Sequence, residues 1–270
     1  MDFPKVSIEG IEISRLICGT NTFFGYSHFS PARDTFLVRH FTIDRIVEVM
    51  ETLADAGINA IMSSPNEKTE AAIAQVKRSK GVEFVWICTP GNQDFEETKN
   101  GIRWAADHGA RICMPHQCYT DNHLVAGEGR LIHAEEITEL IRSLGMVPGL
   151  SNHRPETITT CDKAGYDFAT YIHPYNVDGF LCPVEIDWLQ RVINESPKPI
   201  MCVKPLAAGR ILPAPALRFV WSTIKPIDLV VIGLLSPEEA REDIEISLGV
   251  LQGIEVEQKL SYTRSKSMLV

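Results

Sequence analysis

The sequence lacks several features that would assign its class at once. No apolar run approaches the roughly 20 residues that a membrane-spanning helix needs, and the start MDFPKVSIEG has no charged segment followed by an apolar one, as a secretory signal would. The seven cysteines are odd in number and form no CxxC pair, which argues against a zinc or disulfide framework. We therefore expect a soluble, cytoplasmic protein with reduced cysteines.

Basic clusters and several catalytic motifs are also missing. The formal net charge is −9, and the scattered lysines and arginines form no stripe that could follow phosphates, so we expect neither a nucleic-acid partner nor a membrane partner. The motifs GxSxG, GxxxxGK[ST] and HExxH are absent, which disfavours a serine hydrolase, a P-loop NTPase and a zincin. A small-molecule substrate is the remaining expectation, and a homo-oligomer stays open.

The chain does contain a repeated pattern of short apolar runs separated by segments with helical periodicity. Each run is almost entirely apolar, as expected for a parallel strand that is covered on both faces. A glycine precedes most runs, at the point where a helix should end. The runs span 16–20, 58–63, 84–89, 111–115, 146–150, 167–172, 200–204 and 229–233, and the glycines are Gly57, Gly81, Gly109, Gly145 and Gly165.

Eight such units in about 250 residues predict an α/β fold, a single (β/α)8 TIM barrel. We expect one domain over 1–270, with an N-terminal hairpin (1–14) that turns at Gly10 and a C-terminal tail (254–270). A doubly wound sheet is the structural alternative. Long irregular segments should emerge at the C-terminal face, where barrels keep their chemistry. They are residues 20–41, 116–132, 174–183 and 205–213.

Four stretches spread over the chain resemble the aldo-keto reductase superfamily. They are SRLICGTNTFFG, IRSLGMVPGLSNHRPETI, VKPLAAGR and VVIGLLSPEEAREDIE. The resemblance implies a TIM barrel that binds NAD(P). It also implies that Ser151 and Asn152 hold the nicotinamide carboxamide, and that the backbone of Pro205, Leu206 and Gly209 contacts the pyrophosphate.

The catalytic residues that this resemblance implies are mostly absent. The family uses an aspartate and a tyrosine after the second strand, a lysine on the third and a histidine on the fourth. Here the second strand is followed by SPNEK, and Thr89 stands where the lysine should be. Only His116 matches, and Ile172 occupies the place of a glutamine. The chain is therefore a divergent relative in this comparison.

Histidines end three successive predicted strands, which suggests a metal site. His116, His153 and His173 could converge on one point at the barrel mouth and bind zinc or a similar divalent metal. Glu67, after the second strand, and His28, in the first loop, could assist. Side chains alternate along a strand, so the directions of His153 and His173 stay open, and rim hydrogen bonding is the alternative.

Lys204 ends the seventh predicted strand and offers a second kind of chemistry. Its amine could form an imine with a carbonyl substrate, or it could hold a substrate's negative charge together with Arg210. We predict His116, Lys204 and Glu67 as catalytic groups. The predicted substrate contacts are Arg210, Tyr175, Asn176 and His28.

These observations predict an enzyme on an aldo-keto-reductase-like scaffold. Its substrate would be a small polar, anionic carbonyl or sugar-like compound, and its chemistry that of a lyase, isomerase or hydrolase. One alternative is an NAD(P)H-dependent reductase that uses His116 or a loop residue as its acid. The other is a non-catalytic barrel that only binds a ligand.

Overall fold

The computed structural model describes residues 2–258 and 260, and these residues form a closed barrel of eight parallel strands with helices packed outside it. The strands pair in chain order, and the last pairs with the first through Val230 and Leu16. The predicted TIM barrel is confirmed. An N-terminal hairpin contains β1 (Lys5–Ile8) and β2 (Ile11–Ser14). The barrel contains β3 (Leu16–Gly19), β4 (Ala60–Ser63), β5 (Val85–Cys88), β6 (Ile112–Cys113), β9 (Val147–Ser151), β10 (Thr170–Pro174), β11 (Ile200–Val203) and β12 (Leu229–Gly233), while β7 (Leu124–Val125) and β8 (Arg130–Leu131) form a small ribbon.

The hairpin turns where the sequence predicts it. Glu9 and Gly10 have φ angles of 48° and 82°, as a tight turn with two left-handed residues requires. Ile8, Ile11 and Ile13 are buried in the same cluster as the inward side chains of the barrel. The hairpin therefore closes the end of the barrel opposite the chemistry expected at the C-terminal face.

Two apolar layers follow from the alternation of side chains along each strand. Residues such as Ile172 on β10 fill the barrel, whereas Tyr171 beside it belongs to the layer between strands and helices. Burial on both sides explains why the strands are apolar throughout.

The helices begin and end at residues suited to those positions. Ser30, Asn66 and Ser236 each accept a backbone N–H from the first turn of the helix that follows. All five glycines predicted to end helices have positive φ, for example 69° at Gly81. No helix in the described part of the chain is long and apolar enough to cross a bilayer. The helices are α1 (Pro31–His40), α2 (Ile43–Asp55), α3 (Glu67–Lys80), α4 (Phe95–Asp107), α5 (Gln117–His123), α6 (Ala134–Ser143), α7 (Glu156–Ala164), α8 (Ile186–Glu195), α9 (Pro213–Thr223) and α10 (Pro237–Leu251).

Several boundaries differ from the prediction. The segments 20–41 and 116–132 are not irregular throughout, since they contain α1 and α5, and Pro31 directly after the Ser30 cap is the sequence feature that indicates the first of these helices. The sixth barrel strand runs from Thr170 to Pro174, later than the predicted 167–172. Residues 261–270 of the predicted tail lie outside the described residues.

Asp243 on α10 is a buried acid with an unpaired carboxyl oxygen. Its side chain is 3% exposed and its Oδ1 has no hydrogen-bond partner among the described residues. Burial raises the pKa of this carboxyl to about 8, and the nearby charges of Glu239 and Glu242 contribute to the increase. The folded protein therefore keeps Asp243 protonated at pH values where the unfolded chain, with a pKa of 3.8, releases the proton.

Asp243→Asn should stabilise the protein increasingly as the pH rises. Between about pH 4 and pH 8 the unfolded wild type releases the Asp243 proton while the folded protein keeps it, so the free energy of unfolding of the wild type falls as the pH rises. Asparagine has no proton to release, so the variant does not show this fall. The variant's advantage in unfolding free energy should be at least about 1 kcal/mol larger at pH 8 than at about pH 5. Urea unfolding measures it, with the exposed Asp178→Asn as the control. A pH-independent difference would contradict this assignment.

Candidate active site

Four basic side chains lie at the C-terminal ends of consecutive barrel strands. His116 follows β6, His153 follows β9, His173 lies within the end of β10, and Lys204 follows β11. Burial lowers the pKa of all three imidazoles, and the positive charge of Lys204 lowers each of them further. These residues therefore share one electrostatic environment at the barrel mouth.

His116 is fixed by the short helix α5. It is the N-cap of that helix, and its Nδ1 accepts the backbone N–H of Cys118 at 3.3 Å. With Nδ1 as an acceptor, the neutral ring carries its proton on Nε2. Its pKa is below the usual value, so His116 offers an N–H donor to the mouth at neutral pH.

His153 is held by the same helix. Its backbone N–H donates to both carboxylate oxygens of Asp121 on α5, at 3.1 Å each. Burial, Lys204 and the neighbouring imidazoles lower the pKa of the ring to about 3. The pKa of His153 therefore responds to the charge of Lys204 and of the neighbouring imidazoles, and the direction of its ring stays a prediction.

His173 is positioned differently. Ile172 lies on the inner face of β10 and Tyr171 on the outer, so alternation places His173 on the outer face, where it is fully buried. Its Nδ1–H donates to the carbonyl oxygen of Pro174 at 2.8 Å, and its Nε2 has no partner in the described structure. Burial lowers its pKa to about 4.

The predicted metal site is therefore not supported. Among residues 2–258 and 260, no group of three or more histidine, cysteine, aspartate or glutamate side chains is placed to hold a metal ion. The physical reason is register, because Ile172 takes the inner position on β10 and alternation leaves His173 in the outer layer rather than inside the barrel. Glu67 is exposed in the first turn of α3, where its charge suits the helix N-terminus.

Lys204 occupies a strained turn directly after β11. Its φ is 63°, in the left-handed region that lysine seldom adopts, and its carbonyl oxygen accepts the N–H of Ala207 at 3.0 Å. Burial lowers the pKa of the amine to about 8. The side chain is therefore a partly buried cation that loses its charge easily.

Ser151 and Asn152 lie where the family resemblance predicts a nicotinamide. By alternation along β9, Ser151 points into the barrel at its mouth, and it is 5% exposed. Asn152 donates through Nδ2 to the carbonyl of Ile172 at 3.0 Å, while its buried Oδ1 has no partner among the described residues. That acceptor is available for an amide N–H.

The turn after Lys204 exposes backbone donors. Ala207 and Ala208 have φ angles of 48° and 58°, and Gly209 has 81°. In the described part of the chain, the N–H groups of Leu206 and Ala208 have no protein acceptor. Such a turn, which starts at Pro205, suits an anion.

Arg210 fastens three mouth loops together. Its guanidinium donates to the carbonyl oxygens of Ala207 at 2.9 Å and His28 at 3.2 Å. It also lies 4.3 Å from the centroid of the Phe180 ring. The predicted contact of Arg210 with a substrate charge stays a prediction, because these contacts already use much of its hydrogen-bonding capacity.

Two predicted substrate contacts serve the loops instead. Tyr175 is fully buried in the outer layer and donates its hydroxyl to Thr223 Oγ1 at 2.9 Å. Asn176 is fully buried and bonds both the N–H and the carbonyl oxygen of Phe180. His28 is exposed at the rim, near Asn21. The structure does not bring Tyr175 and Asn176 to the mouth as polar contacts.

One positioning residue has no indication in the sequence. Gly91 follows β5, and a Cβ placed there would collide with the Cβ of His116 and lie 3.2 Å from its Cα. The N–H of His116 also donates to the carbonyl oxygen of Pro90 at 2.8 Å. The loop after β5 therefore sets the position of His116.

Fold and mouth together define the class of the protein, a (β/α)8 barrel whose C-terminal face holds a lysine among neutral imidazoles. No family model and no curated protein matches the sequence. Solved structures do match the fold, and aldo-keto reductases are prominent among them. The resemblance that the sequence indicates is confirmed at the level of the fold.

Three of these structures illustrate the likeness. A protein of Pseudomonas aeruginosa assigned as an aldo-keto reductase is 15% identical, with a TM-score of 0.69 over 93% of this chain and 98% of its own. A variant of Gox0644 in complex with NADPH is 12% identical, with a TM-score of 0.60 and 97% of each chain covered. MGS-M4, an aldo-keto reductase from a Medee basin deep-sea metagenome library, is 11% identical, with a TM-score of 0.56 over 96% of this chain and 100% of its own.

Gly91→Ala should displace His116 and change its titration. The added methyl group has no space against His116, and Gly91 does not have the positive φ that would add backbone strain. We expect a loss of about 1 to 3 kcal/mol in unfolding free energy and a shift of the His116 pKa. NMR titration of the histidine ring protons measures it, with Gly127→Ala as the control because that position faces open space. Identical titrations in all three proteins would refute this contact as the positioning device.

Proposed function

We propose that the protein is an enzyme that moves protons on a small polar carbonyl compound bound at the barrel mouth, in a lyase- or isomerase-type reaction. The observation that carries this proposal is that His116, His153 and Lys204 follow barrel strands that end at one opening, where the charge of Lys204 lowers the pKa of both rings. His116 caps α5, and the backbone N–H of His153 bonds Asp121 on the same helix. Fold and composition support a small-molecule substrate.

The two imidazoles suit different steps. His116 presents an Nε2–H, which can donate to a carbonyl oxygen and stabilise the negative charge that develops there. His153 is neutral because its pKa is far below 7, and the positive charge of Lys204 contributes to that lowering. An anionic substrate that offsets this charge would raise the basicity of the ring, which could then accept a proton from the carbon next to the carbonyl. Lys204 adds a positive charge that favours an anionic intermediate and an anionic substrate.

Proton exchange with solvent tests this function for small carbonyl compounds as a class. The wild type should incorporate deuterium from D2O next to the carbonyl of at least one of dihydroxyacetone, glyceraldehyde or pyruvate, as followed by NMR. His116→Gln should slow the exchange by about 100-fold, the range lost with a general acid or base.

The matched control is His108→Gln, since His108 lies at the end of α4, stacked on Trp104. Its exchange rate should equal that of the wild type. Exchange no faster than in buffer with every probe would refute the function, and so would an unchanged rate in His116→Gln.

A nicotinamide-dependent reductase is the second candidate, and Asn152 is the specific observation that favours it. Its unpartnered Oδ1, together with Ser151, fits the carboxamide of a nicotinamide, and the N–H groups of the turn after Lys204 fit a pyrophosphate. A bound NADPH would supply a hydride. One solved relative of the fold contains NADPH, which supports this candidate.

NADPH binding should separate the two candidates. Under the reductase, fluorescence titration should show tight, submicromolar binding that weakens by about tenfold or more in Asn152→Ala. Asn122→Ala is the control, because Asn122 is exposed and its amide contacts only the carbonyl of Cys118. No binding at millimolar NADPH would eliminate the reductase.

A further inference from the structure

Lys204 differs from the other partly buried lysines in having no acid beside it. Lys198 lies 3.2 Å from Asp162, and Lys225 lies 3.0 Å from Asp228. No hydrogen bond or ion pair joins the Lys204 amine to a protein group within residues 2–258. A buried lysine that only stabilised the fold would be expected to have a carboxylate partner, because an unpaired buried charge is costly. The missing carboxylate beside Lys204 therefore requires another explanation.

The titratable groups whose pKa values respond to the charge of Lys204 are neutral at physiological pH. They are the rings of His116, His153, His173 and His28 and the thiol of Cys182, whose pKa is raised to about 11 by burial. This setting favours the uncharged amine. With a pKa of about 8, roughly a quarter of the Lys204 amine is unprotonated at about pH 7.5, against about 0.1% for an exposed lysine.

The backbone adds a geometric argument. Lys204 adopts a left-handed conformation directly at the strand end, in a turn closed by Ala207. Such conformations cost about 1 to 3 kcal/mol and persist where the side-chain position matters. Here the left-handed residue is a lysine at the C-terminal end of β11, at the same opening of the barrel as His116 and His153.

We propose that Lys204 is a nucleophile that forms an imine with the carbonyl carbon of a small aldehyde, ketone or 2-oxo acid. The inference rests on the proposed function and supplies its covalent step. The Nζ lone pair attacks the carbonyl carbon, a C–N bond forms, and the C=O π electrons move to the oxygen, which the Nε2–H of His116 stabilises. His153 carries the amine protons to that oxygen. The C–O bond breaks, and water leaves as the C=N bond forms, without oxidation or reduction.

Reductive trapping on the full chain tests the imine. We would incubate the protein with pyruvate, and separately with glyceraldehyde, in the presence of sodium cyanoborohydride, and locate the reduced adducts by peptide mass spectrometry. Lys204 should be labelled at least about tenfold faster than Lys198 and Lys225, which serve as internal controls. The rate should rise through about pH 8, the pKa of this amine.

Lys204→Arg keeps the positive charge and cannot form an imine. The variant should lose the rapid adduct while its circular dichroism spectrum stays unchanged. If the variant does not fold, the relative labelling of Lys204, Lys198 and Lys225 in the wild type still tests the proposal. Labelling of Lys204 no faster than that of Lys198 and Lys225 with both probes would overturn the proposal.

The outcomes also separate this inference from the proposed function. Solvent exchange that persists in Lys204→Arg would keep the acid–base function and remove the imine. Selective labelling of Lys204 without solvent exchange would keep the imine and remove the acid–base function.

Discussion

The pairing of β12 with β3 is the interaction on which the rest of the structure depends. It joins the last strand of the barrel to the first, so the parallel sheet has no edge, and every strand ends with its carboxyl terminus at the same opening. Residues far apart in the sequence then become neighbours. His116, His153 and Lys204 lie at one opening because the strands before them end there, and the hairpin of β1 and β2 closes the opposite end with isoleucines.

Within that frame, α5 is a short element with a large effect on the chemistry. Its N-cap is His116, and its Asp121 accepts the backbone N–H of His153, so one short helix ties together residues that follow two different strands. Both carboxylate oxygens of Asp121 accept this N–H, so the acid of α5 is used to hold the backbone at His153. The two rings are neutral at physiological pH, and the amine keeps most of its positive charge there. A site without fixed negative charge is well matched to a substrate that brings its own.

The sequence predicts the fold in detail because the fold depends on local, periodic features. Apolar strands, the hairpin at Gly10 and the glycines that end helices are each visible within a few residues. The site is harder to predict from the sequence, since it depends on strand register. On β10, Ile172 takes the inner face, so His173 and Tyr175 lie in the outer layer; the sequence leaves the direction of His173 open and predicts Tyr175 as a substrate contact. Gly91 cannot be found from the sequence at all, because its role is defined by the side chain of His116, far along the chain. Lys204 and His116 can be found because they directly follow strands.

The contact of Arg210 with His28 spans 182 positions of sequence, and this sets an order of events during synthesis. The first mouth loop, with Phe29 66% exposed at its end, exists long before the guanidinium that fastens it. Arg210 lies before β12 in the chain, so this contact becomes possible before the strand that closes the barrel has been made. A chain that stops short of residue 210 lacks both the contact and the closing strand, and therefore has neither a fastened first mouth loop nor a closed barrel.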